Sequence, residues 1–273
     1  MKSLDQQTIL VTGATDGLGR ALAVELASRG ATLLLHGRSE ERLQDVVDQI
    51  GPDRVRTYTA DLASLDDVRA MAADVVDREE ELDTLVNNAG IGTTLPGDGE
   101  RQESRDGYEL RFAVNYLSHY LLTRLLEPLI RSSAPARIIN VSSAGQAPID
   151  FNDVMLERDY APFRAYAQSK LAQVMFTFDL ADELDGNGVT ANCLHPATFM
   201  PTKMVFAARG SATSTLEEGL EATFRLVADE QLDDVSGRYF NGTRESRADE
   251  QAYDPAARAR LRELSDRLTG LAQ

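Results

Sequence analysis

The run Thr12-Gly13-Ala14-Thr15-Asp16-Gly17-Leu18-Gly19 lies near the N-terminus, between a short apolar stretch and a segment of helical period. Glycines at a strand-to-helix turn let the backbone approach a pyrophosphate, and the helix that follows offers its first N–H groups to the same anion. Such a turn alone is weak evidence, because similar residues also make purely structural turns. Its position in the first strand–helix unit favours a dinucleotide site.

Short apolar runs alternate with segments of helical period along the rest of the chain. The predicted strands are 8–12, 32–36, 54–59, 84–87, 137–141, 189–194 and 237–240. The predicted helices lie near 18–29, 39–49, 64–77, 107–127, 161–184 and 214–229, with a last helix after Asp254-Pro255. This alternation is typical of a buried parallel sheet. We therefore predict one α/β domain over residues 1–273, with a single doubly wound parallel sheet flanked by helices.

Three irregular segments, 91–106, 144–160 and 195–215, each follow a predicted strand. In open α/β sheets ligands bind beyond the carboxyl ends of the strands, so these segments are expected to line the site, with a substrate region at about 195–229. Their apolar side chains predict a lipophilic pocket, although the same residues could instead pack the loops onto the sheet. These residues are Leu95, Pro148, Ile149, Phe151, Phe199, Met200, Met204, Val205 and Phe206.

The composition excludes several classes of function. The chain has 273 residues, 42% of them hydrophobic, and 44 acidic against 28 basic side chains give a net charge of -16. The apolar content excludes disorder, and the acidic balance argues against nucleic acid or an anionic membrane as a partner. Cys193 stands alone, so an intrachain disulfide is impossible and a cytoplasmic location is expected. The three histidines have no metal-binding spacing, and we predict no metal.

Further motifs follow the glycine-rich run in a fixed order. They are Asp61-Leu62, Asn87-Asn88-Ala89-Gly90, Asn115, Ser142-Ser143, Tyr166-Ala167-Gln168-Ser169-Lys170 and His195-Pro196-Ala197. Together with the spacing of Gly13, Gly17 and Gly19, this set resembles the short-chain dehydrogenases/reductases across about residues 5–272. The segments 150–153, 164–172 and 239–242 resemble the retinol-dehydrogenase-like branch. The resemblance implies a Rossmann fold and an oxidoreductase.

Tyr166 and Lys170 stand four residues apart on a predicted helix, so both project from one face. An ammonium beside a phenol favours the phenolate, which predicts a lowered pKa for Tyr166 and a role in proton transfer. Without the surrounding motifs, a solvated pair on a helix surface would be the simpler interpretation. The resemblance implies that Ser143 hydrogen-bonds the reacting oxygen and that Asn115 holds a water beside Lys170. The long interval from Ser143 to Tyr166 suggests an enlarged substrate loop.

The end of the second predicted strand indicates the cofactor. Gly37 offers no carboxylate to a ribose diol, whereas Arg38 could pair with a 2′-phosphate. We therefore expect NADP(H), with NAD(H) disfavoured; the alternative is that Arg38 simply begins a helix.

The resemblance implies further cofactor contacts from three groups of residues. They are Gly13, Thr15, Asp16, Gly17, Leu18 and Gly19; Asp61, Leu62, Asn88, Ala89 and Gly90; and Tyr166, Lys170, Pro196, Thr198 and Thr202. Asp16 departs from the basic or neutral residue often found beside a 2′-phosphate, and Ala197 replaces a glycine. Thr202 falls one place late for the threonine that meets the nicotinamide carboxamide, so Thr198 competes for that role.

These observations predict hydride transfer between NADP(H) and a carbonyl or alcohol group of a small, lipophilic or aromatic molecule. The alternative is an NADP(H)-binding sensor or interaction module without turnover. A sugar epimerase or dehydratase is disfavoured by the glycine spacing. The resemblance also implies a homo-oligomer built from the helices near 107–127 and 161–184.

Overall fold

The computed structural model describes residues 1–94 and 100–272, whose strands form one sheet in the order β3-β2-β1-β4-β5-β6-β7-β8. All neighbouring strands are parallel except β7 and β8. The strands are β1 Thr8–Val11, β2 Thr32–Gly37, β3 Val55–Thr59, β4 Thr84–Asn87, β5 Ala136–Val141, β6 Val189–His195, β7 Arg238–Asn241 and β8 Arg244–Ser246. The predicted Rossmann fold, a mostly parallel sheet flanked by helices, is confirmed.

The helices cover both faces of this sheet. They are α1 Gly17–Ser28, α2 Glu40–Ile50, α3 Leu65–Arg78, α4 Leu110–Phe112, α5 Ser118–Ser132, α6 Pro162–Glu183, α7 Lys203–Arg209, α8 Leu216–Ala228 and α9 Pro255–Thr269. Successive residues of β1 alternate between the two layers: Ile9 and Val11 pack with α1 and α8, and Leu10 packs with the α3, α5 and α6 layer. Alternation with a period of two is what a strand buried on both faces requires.

Two elements were not predicted as a helix or strand. The helix α7 has seven residues, none of them buried, so it carries no apolar stripe that a pattern could detect. The strand β8 is exposed at all three residues and pairs antiparallel with β7. Both lie at the edge of the molecule, where burial does not impose a periodic pattern.

The predicted helix 107–127 is also more complex than its pattern. Leu110 begins α4, a π-helical turn spans Ala113–Leu117, and α5 continues through Pro128 to Ser132. π-helical turns are rare and often accompany functional sites. This turn contains Asn115, one of the predicted site residues.

The C-terminal helix α9 packs along α5 and α6. The Tyr116 hydroxyl lies 2.6 Å from Ser265 Oγ, and the Tyr120 hydroxyl donates to Asp266 Oδ1 at 2.6 Å. Arg262 also pairs with Asp179 of α6. The helix α9 therefore covers part of the surface of α6 within the chain, and the expected homo-oligomer with its interface stays a prediction.

Within residues 1–94 and 100–272, no helix is both long and apolar enough to cross a membrane. In the same residues, no group of three or more metal-ligating side chains is placed to hold an ion.

Candidate active site

The glycine-rich turn runs tightly from β1 into α1. Gly13 has a φ of 68°, and a Cβ there would lie 2.9 Å from Ala89 Cα. A Cβ on Gly19 would lie 2.2 Å from the carbonyl oxygen of Gly13. Neither position accepts a side chain, so the glycines let this turn pack against the loop that follows β4.

His36 is the penultimate residue of β2, two residues before Arg38, and it accepts a hydrogen bond from the glycine-rich turn. The Gly13 N–H donates to His36 Nδ1 at 3.2 Å, so the ring proton lies on Nε2 and faces the Ala60 carbonyl at 3.1 Å. Burial lowers the pKa of His36 to about 4, which keeps the ring neutral and Nδ1 an acceptor. The sequence predicted only a packed or surface residue; its place at the end of an apolar strand was the available signal.

The loops after β1 and β4 are joined by Thr12 and Asn88. Thr12 Oγ1 accepts from the N–H groups of Asn88 at 2.9 Å and Ala89 at 3.0 Å, and Asn88 Nδ2 donates to the Thr12 carbonyl at 2.8 Å. A Cβ on Gly90 would lie 3.5 Å from Lys170 Nζ. The predicted residues 88–90 therefore join the glycine-rich turn to the predicted catalytic residues.

Ser143 and Tyr166 meet at the carboxyl end of β5. A hydrogen bond with Ser143 lowers the pKa of Tyr166 against the stronger effect of burial, which raises it. The Ser143 hydroxyl also accepts from the Gly145 N–H at 3.0 Å, and the Tyr239 hydroxyl donates to the Ser143 carbonyl at 3.2 Å. Ser142 is different, because its buried hydroxyl donates to the Lys170 carbonyl at 2.8 Å. Only Ser143 is therefore directed toward the tyrosine.

The expected lowering of the Tyr166 pKa by Lys170 is wrong for this arrangement. The net shift is upward because burial destabilises the phenolate. Lys170 Nζ lies 5.9 Å from the centre of the Tyr166 ring and donates instead to the Val141 carbonyl at 2.9 Å. Burial also lowers the pKa of Lys170 to about 7, so near neutral pH the amine carries only part of a charge.

A second acceptor for Lys170 was not predicted. Lys170 Nζ donates to Gln173 Oε1 at 2.8 Å, one helical turn further along α6. The only sequence signal for Gln173 was its spacing of three residues from Lys170, which places both on one helix face.

Asn115 is fixed beside these residues by the π-helical turn. Its Oδ1 accepts from the Ile91 N–H at 2.8 Å, and its Nδ2 donates to the Ile91 carbonyl at 3.1 Å and Ser169 Oγ at 3.0 Å. A Cβ on Gly90 would lie 3.2 Å from Asn115 Oδ1. Asn115 therefore lies next to Lys170, with both side-chain N–H donors already engaged.

Arg38 follows β2 directly and is exposed. Within residues 1–94 and 100–272 it makes no hydrogen bond or ion pair, so its guanidinium is available to a ligand. Asp61 and Leu62 follow β3: the Asp61 carboxylate accepts from the Ala63 N–H at 3.1 Å, and Leu62 is buried in the core.

Asp16 caps α1 and carries two ion pairs. Its Oδ1 accepts from the Gly17 N–H at 2.9 Å, and its Oδ2 lies 3.0 Å from Arg42 and 2.8 Å from Lys203. Burial raises the pKa of Asp16. The hydrogen bonds from Lys203, Gly17 and Arg42 together lower the pKa by more than burial raises it, so the net shift is downward. Sequence reasoning missed both cations because they are distant along the chain.

The helix α7 lies across the cleft. Thr202 caps it by accepting from the Val205 N–H at 3.3 Å, and a Cβ on Gly17 would lie 3.2 Å from the Thr202 methyl group. On the other side, a Cβ on Gly92 would lie 2.4 Å from Met204 Cγ. The helix α7 therefore joins the glycine-rich turn to the loop after β4.

The two competing threonines lie in different places. Thr202 contacts the glycine-rich turn, whereas Thr198 Oγ1 lies 3.0 Å from His195 Nε2. Thr198 and Pro196 also line a cleft beside α8, with Thr213 and Glu218.

The expected pocket residues divide into two groups. Ile149 is buried in the core, Phe151 packs against that core, and a Cβ on Gly219 would collide with Met200. The large hydrophobic residues Phe199, Met204 and Phe206 are exposed, as is Phe163, which was not predicted; Met204 lies next to Gly92 and Phe163 next to Gly145. Pro148 is exposed and Val205 half-buried, and Leu95 lies outside the described residues.

A dinucleotide fits the residues that meet at this edge of the sheet. The Leu18 and Gly19 amides in the first turn of α1 lack intrahelical acceptors and can bind an anion, whereas the Gly17 amide donates to Asp16; Gly13 and Gly19 cannot carry side chains that would fill the turn. Gly90 lies directly beside Asn115 and Lys170, since a Cβ there would come within 3.2 Å of Asn115 Oδ1 and 3.5 Å of Lys170 Nζ.

Comparisons with known proteins agree with this geometry. The family model described as short chain dehydrogenase matches residues 7–211. Retinol dehydrogenase 13 of Mus musculus is 38% identical over 97% of this chain and 84% of its own. Retinol dehydrogenase 14 of Homo sapiens is 34% identical over 97% of this chain and 87% of its own.

Solved structures show the same similarity. A protein from Mycobacterium Paratuberculosis superposes with a TM-score of 0.81 at 28% identity, over 99% of this chain and 96% of the other. A short chain dehydrogenase from Shigella flexneri 2a, complexed with NADP, gives 0.72 at 26% identity, over 89% of this chain and 99% of the other. The chain therefore belongs to the short chain dehydrogenase family, in its retinol-dehydrogenase-like branch, and is an oxidoreductase.

Proposed function

We propose that the protein transfers a hydride between NADP(H) and a carbonyl or alcohol carbon of a lipophilic or aromatic small molecule. The observation that carries this proposal is that Ser143 and Tyr166 meet beside Gly145, where a Cβ would lie 3.5 Å from Ser143 Oγ and 3.7 Å from the Tyr166 ring. Lys170, one helical turn from Tyr166, and Asn115 complete the proposed catalytic group.

In this mechanism the substrate oxygen lies between the hydroxyl groups of Ser143 and Tyr166. The Tyr166 phenol gives its proton to that oxygen during reduction and removes it during oxidation. Ser143 orients the oxygen, and its own position is fixed by the Gly145 N–H. Burial keeps the phenol protonated, which suits the reductive direction. The nicotinamide, when bound, supplies or accepts the hydride.

The preference for NADP(H) is supported by the charges beside α1. Arg38 is exposed and free of intramolecular pairs among the described residues, so it can bind a 2′-phosphate. The charge of Asp16 would repel that phosphate, but Arg42 and Lys203 both pair with it. The proposed cofactor contacts are the glycine-rich turn, residues 61–62 and 88–90, Arg38, Tyr166, Lys170, Pro196, and Thr198 or Thr202. Thr202 lies beside the glycine-rich turn and Thr198 beside His195, and we propose either one as the carboxamide partner.

The preference for a lipophilic substrate is supported by exposed apolar side chains. Phe163 is 61% exposed, and a Cβ on Gly145 would lie 3.7 Å from both its ring and that of Tyr166. Met204 and Phe199 lie in the proposed substrate region, residues 195–229. Apolar walls with few fixed polar groups gain affinity mainly from burial of apolar surface.

The test is oxidation of NADPH, with NADH in parallel, by the full chain against medium-chain, aromatic and sugar carbonyls. We expect turnover with lipophilic carbonyls and a preference for NADPH. Nucleotide binding without turnover would instead identify the sensor named above, and faster turnover of hydrophilic sugars would overturn the substrate class. Light scattering of the same sample tests the proposed homo-oligomer.

A further inference from the structure

Lys170 lies in a polar network that extends beyond the proposed catalytic group. Its Nζ donates to Gln173 Oε1 at 2.8 Å, Gln173 Nε2 lies 3.3 Å from His119 Nδ1, and His119 Nε2 lies 3.4 Å from Thr12 Oγ1. Gln173 and His119 are each 1% exposed. The network therefore runs through the interior from the lysine to the first residue of the glycine-rich run.

The chemistry of each partner fixes the orientation of the Gln173 amide. An ammonium only donates hydrogen bonds, so the amide oxygen must face Lys170, and the NH₂ group then faces His119. The carboxamide is an acceptor toward Lys170 and a donor toward His119 Nδ1. That ring nitrogen also lies 3.1 Å from the Asn115 carbonyl oxygen, so it serves one of the two, either by accepting from Gln173 or by donating to Asn115. A methionine has a similar length but lacks both groups, and a glutamate would face His119 with an acceptor.

The surroundings of Lys170 make this contact important. Its two hydrogen-bond acceptors, the Val141 carbonyl and Gln173 Oε1, are both uncharged. The titratable groups around it are Tyr166 on α6, His119 on α5 and His195 on β6, and none is a carboxylate. Burial lowers the pKa of His119 to about 3 and also lowers that of His195, so both rings are neutral near pH 7.

We propose that Gln173 is a positioning residue: it holds the Lys170 ammonium in place beside Tyr166 and connects it, through His119, to the glycine-rich turn. The inference deepens the proposed oxidoreductase function and rests on it for its catalytic meaning. Without Gln173, one of the two acceptors of a buried amine disappears. The ammonium is then less stable, and Lys170 loses its proton at lower pH.

Two substitutions should move the Lys170 pKa in opposite directions. Gln173→Met removes a neutral acceptor and should lower that pKa, whereas Gln173→Glu supplies an anionic acceptor and should raise it. We expect a shift of about one pH unit in each case, from the strength of a hydrogen bond to a charged group. If Gln173 had a purely structural role, both substitutions would change the stability of the protein, but they would not move the Lys170 pKa in opposite directions.

The chain allows a direct measurement, because it contains only three lysines, Lys2, Lys170 and Lys203. Nuclear magnetic resonance titration of their side-chain signals, assigned with Lys2→Arg and Lys203→Arg, reports the Lys170 pKa without any need for turnover. The matched control is Gln7→Met. Gln7 is another buried glutamine whose amide is bonded at both ends, to the Lys2 carbonyl and the Thr84 hydroxyl.

We expect Gln7→Met to leave the Lys170 titration unchanged while costing stability. In kinetics, Gln173→Met should lower kcat about tenfold with a smaller change in KM, as for a misplaced catalytic group. A Lys170 pKa that does not move, or that moves in the same direction in Gln173→Met and Gln173→Glu, overturns the inference. Absence of turnover in the wild type would reject the proposed function, and the titration would still decide whether Gln173 fixes Lys170.

Discussion

Two regions, the proposed catalytic face of Ser143, Tyr166 and Lys170 and the α7 lid of residues 203–209, are held in different ways. On the catalytic face, Ser143 and Lys170 are buried and bonded to the backbone or to a neutral amide. On the α7 lid no residue is buried, and an exposed ion pair from Lys203 to Asp16 fastens it.

The two regions should therefore respond differently to substitution, because their contacts differ in strength. A buried polar group left without a partner costs about 1–3 kcal/mol, whereas an exposed ion pair contributes about 0–1 kcal/mol. Loss of a partner should therefore cost more on the catalytic face than loss of the Asp16–Lys203 pair costs on the α7 lid. Substitutions on the face should change kcat, and substitutions on the lid should change binding.

The largest effect should come from Tyr166→Phe, which removes the proton donor and keeps the ring. We expect kcat to fall by about 10²–10⁴-fold. NADPH affinity, measured by fluorescence titration, should stay within a few fold of wild type, because no phosphate contact is lost. Tyr253→Phe, at an exposed ring, is the matched control. Turnover like that of the wild type in Tyr166→Phe would remove Tyr166 from the mechanism.

Acid should destabilise the layer beneath the catalytic face. The pKa values of His36 and His119 are about 4 and about 3 in the folded chain, against 6.5 when exposed. Below pH 6.5 the unfolded chain binds protons that the folded chain does not, so the free energy of unfolding falls as pH falls toward 4 and then 3.

Calorimetry of wild type and His119→Leu between pH 7 and pH 4 checks this expectation. The variant has lost one of the two depressed groups, so its Tm should fall less steeply with acid. Equal slopes in the two proteins would mean that His119 titrates normally.

Arg38→Ala should have an intermediate effect on the cofactor. One lost charge-assisted contact costs about 1.5–3 kcal/mol, which is about 10–100-fold in NADPH affinity. NADH affinity should hardly change, since that cofactor lacks the 2′-phosphate. Arg29→Ala, which removes a surface pair with Glu25 and a contact over the Phe224 ring away from the phosphate site, is the control. The same loss for both nucleotides would contradict a phosphate contact.

The sequence was sufficient to predict the fold and to bring Ser143, Tyr166 and Lys170 together, because both depend on local patterns; the catalytic roles of these residues stay predictions. Buried parallel strands must be apolar runs, the glycine-rich turn must lack side chains at Gly13 and Gly19, and a spacing of four places Tyr166 and Lys170 on one helix face. Each of these requirements acts over a few residues.

The remaining features depend on contacts between distant parts of the chain. Lys203 lies 187 positions after Asp16, and no local sequence pattern predicts that ion pair. The environment of Lys170 was also misjudged. Its helix spacing was right, but the Val141 carbonyl and the burial that lowers its pKa arise from packing of α6 against β5.

The smallest effects should come from the ion pair of the α7 lid. Asp16→Asn keeps a good cap for α1 but releases Lys203 and Arg42, and it removes a negative charge near the proposed phosphate site. We expect NADPH to bind a few fold more tightly. Lys203→Met should weaken binding by a few fold or less, with kcat for a bound substrate nearly unchanged.

A double-mutant cycle of these two changes separates the lid from the phosphate effect. The coupling energy between Asp16 and Lys203 should be about 0.2–1 kcal/mol and should fall at high salt, as expected of an exposed pair. Coupling of several kcal/mol, or a large loss of kcat in Lys203→Met, would show that the α7 lid is as rigid as the catalytic face and would end the distinction between them. Coupling in the expected range would agree with a lid that is held more weakly than the buried residues of the catalytic face.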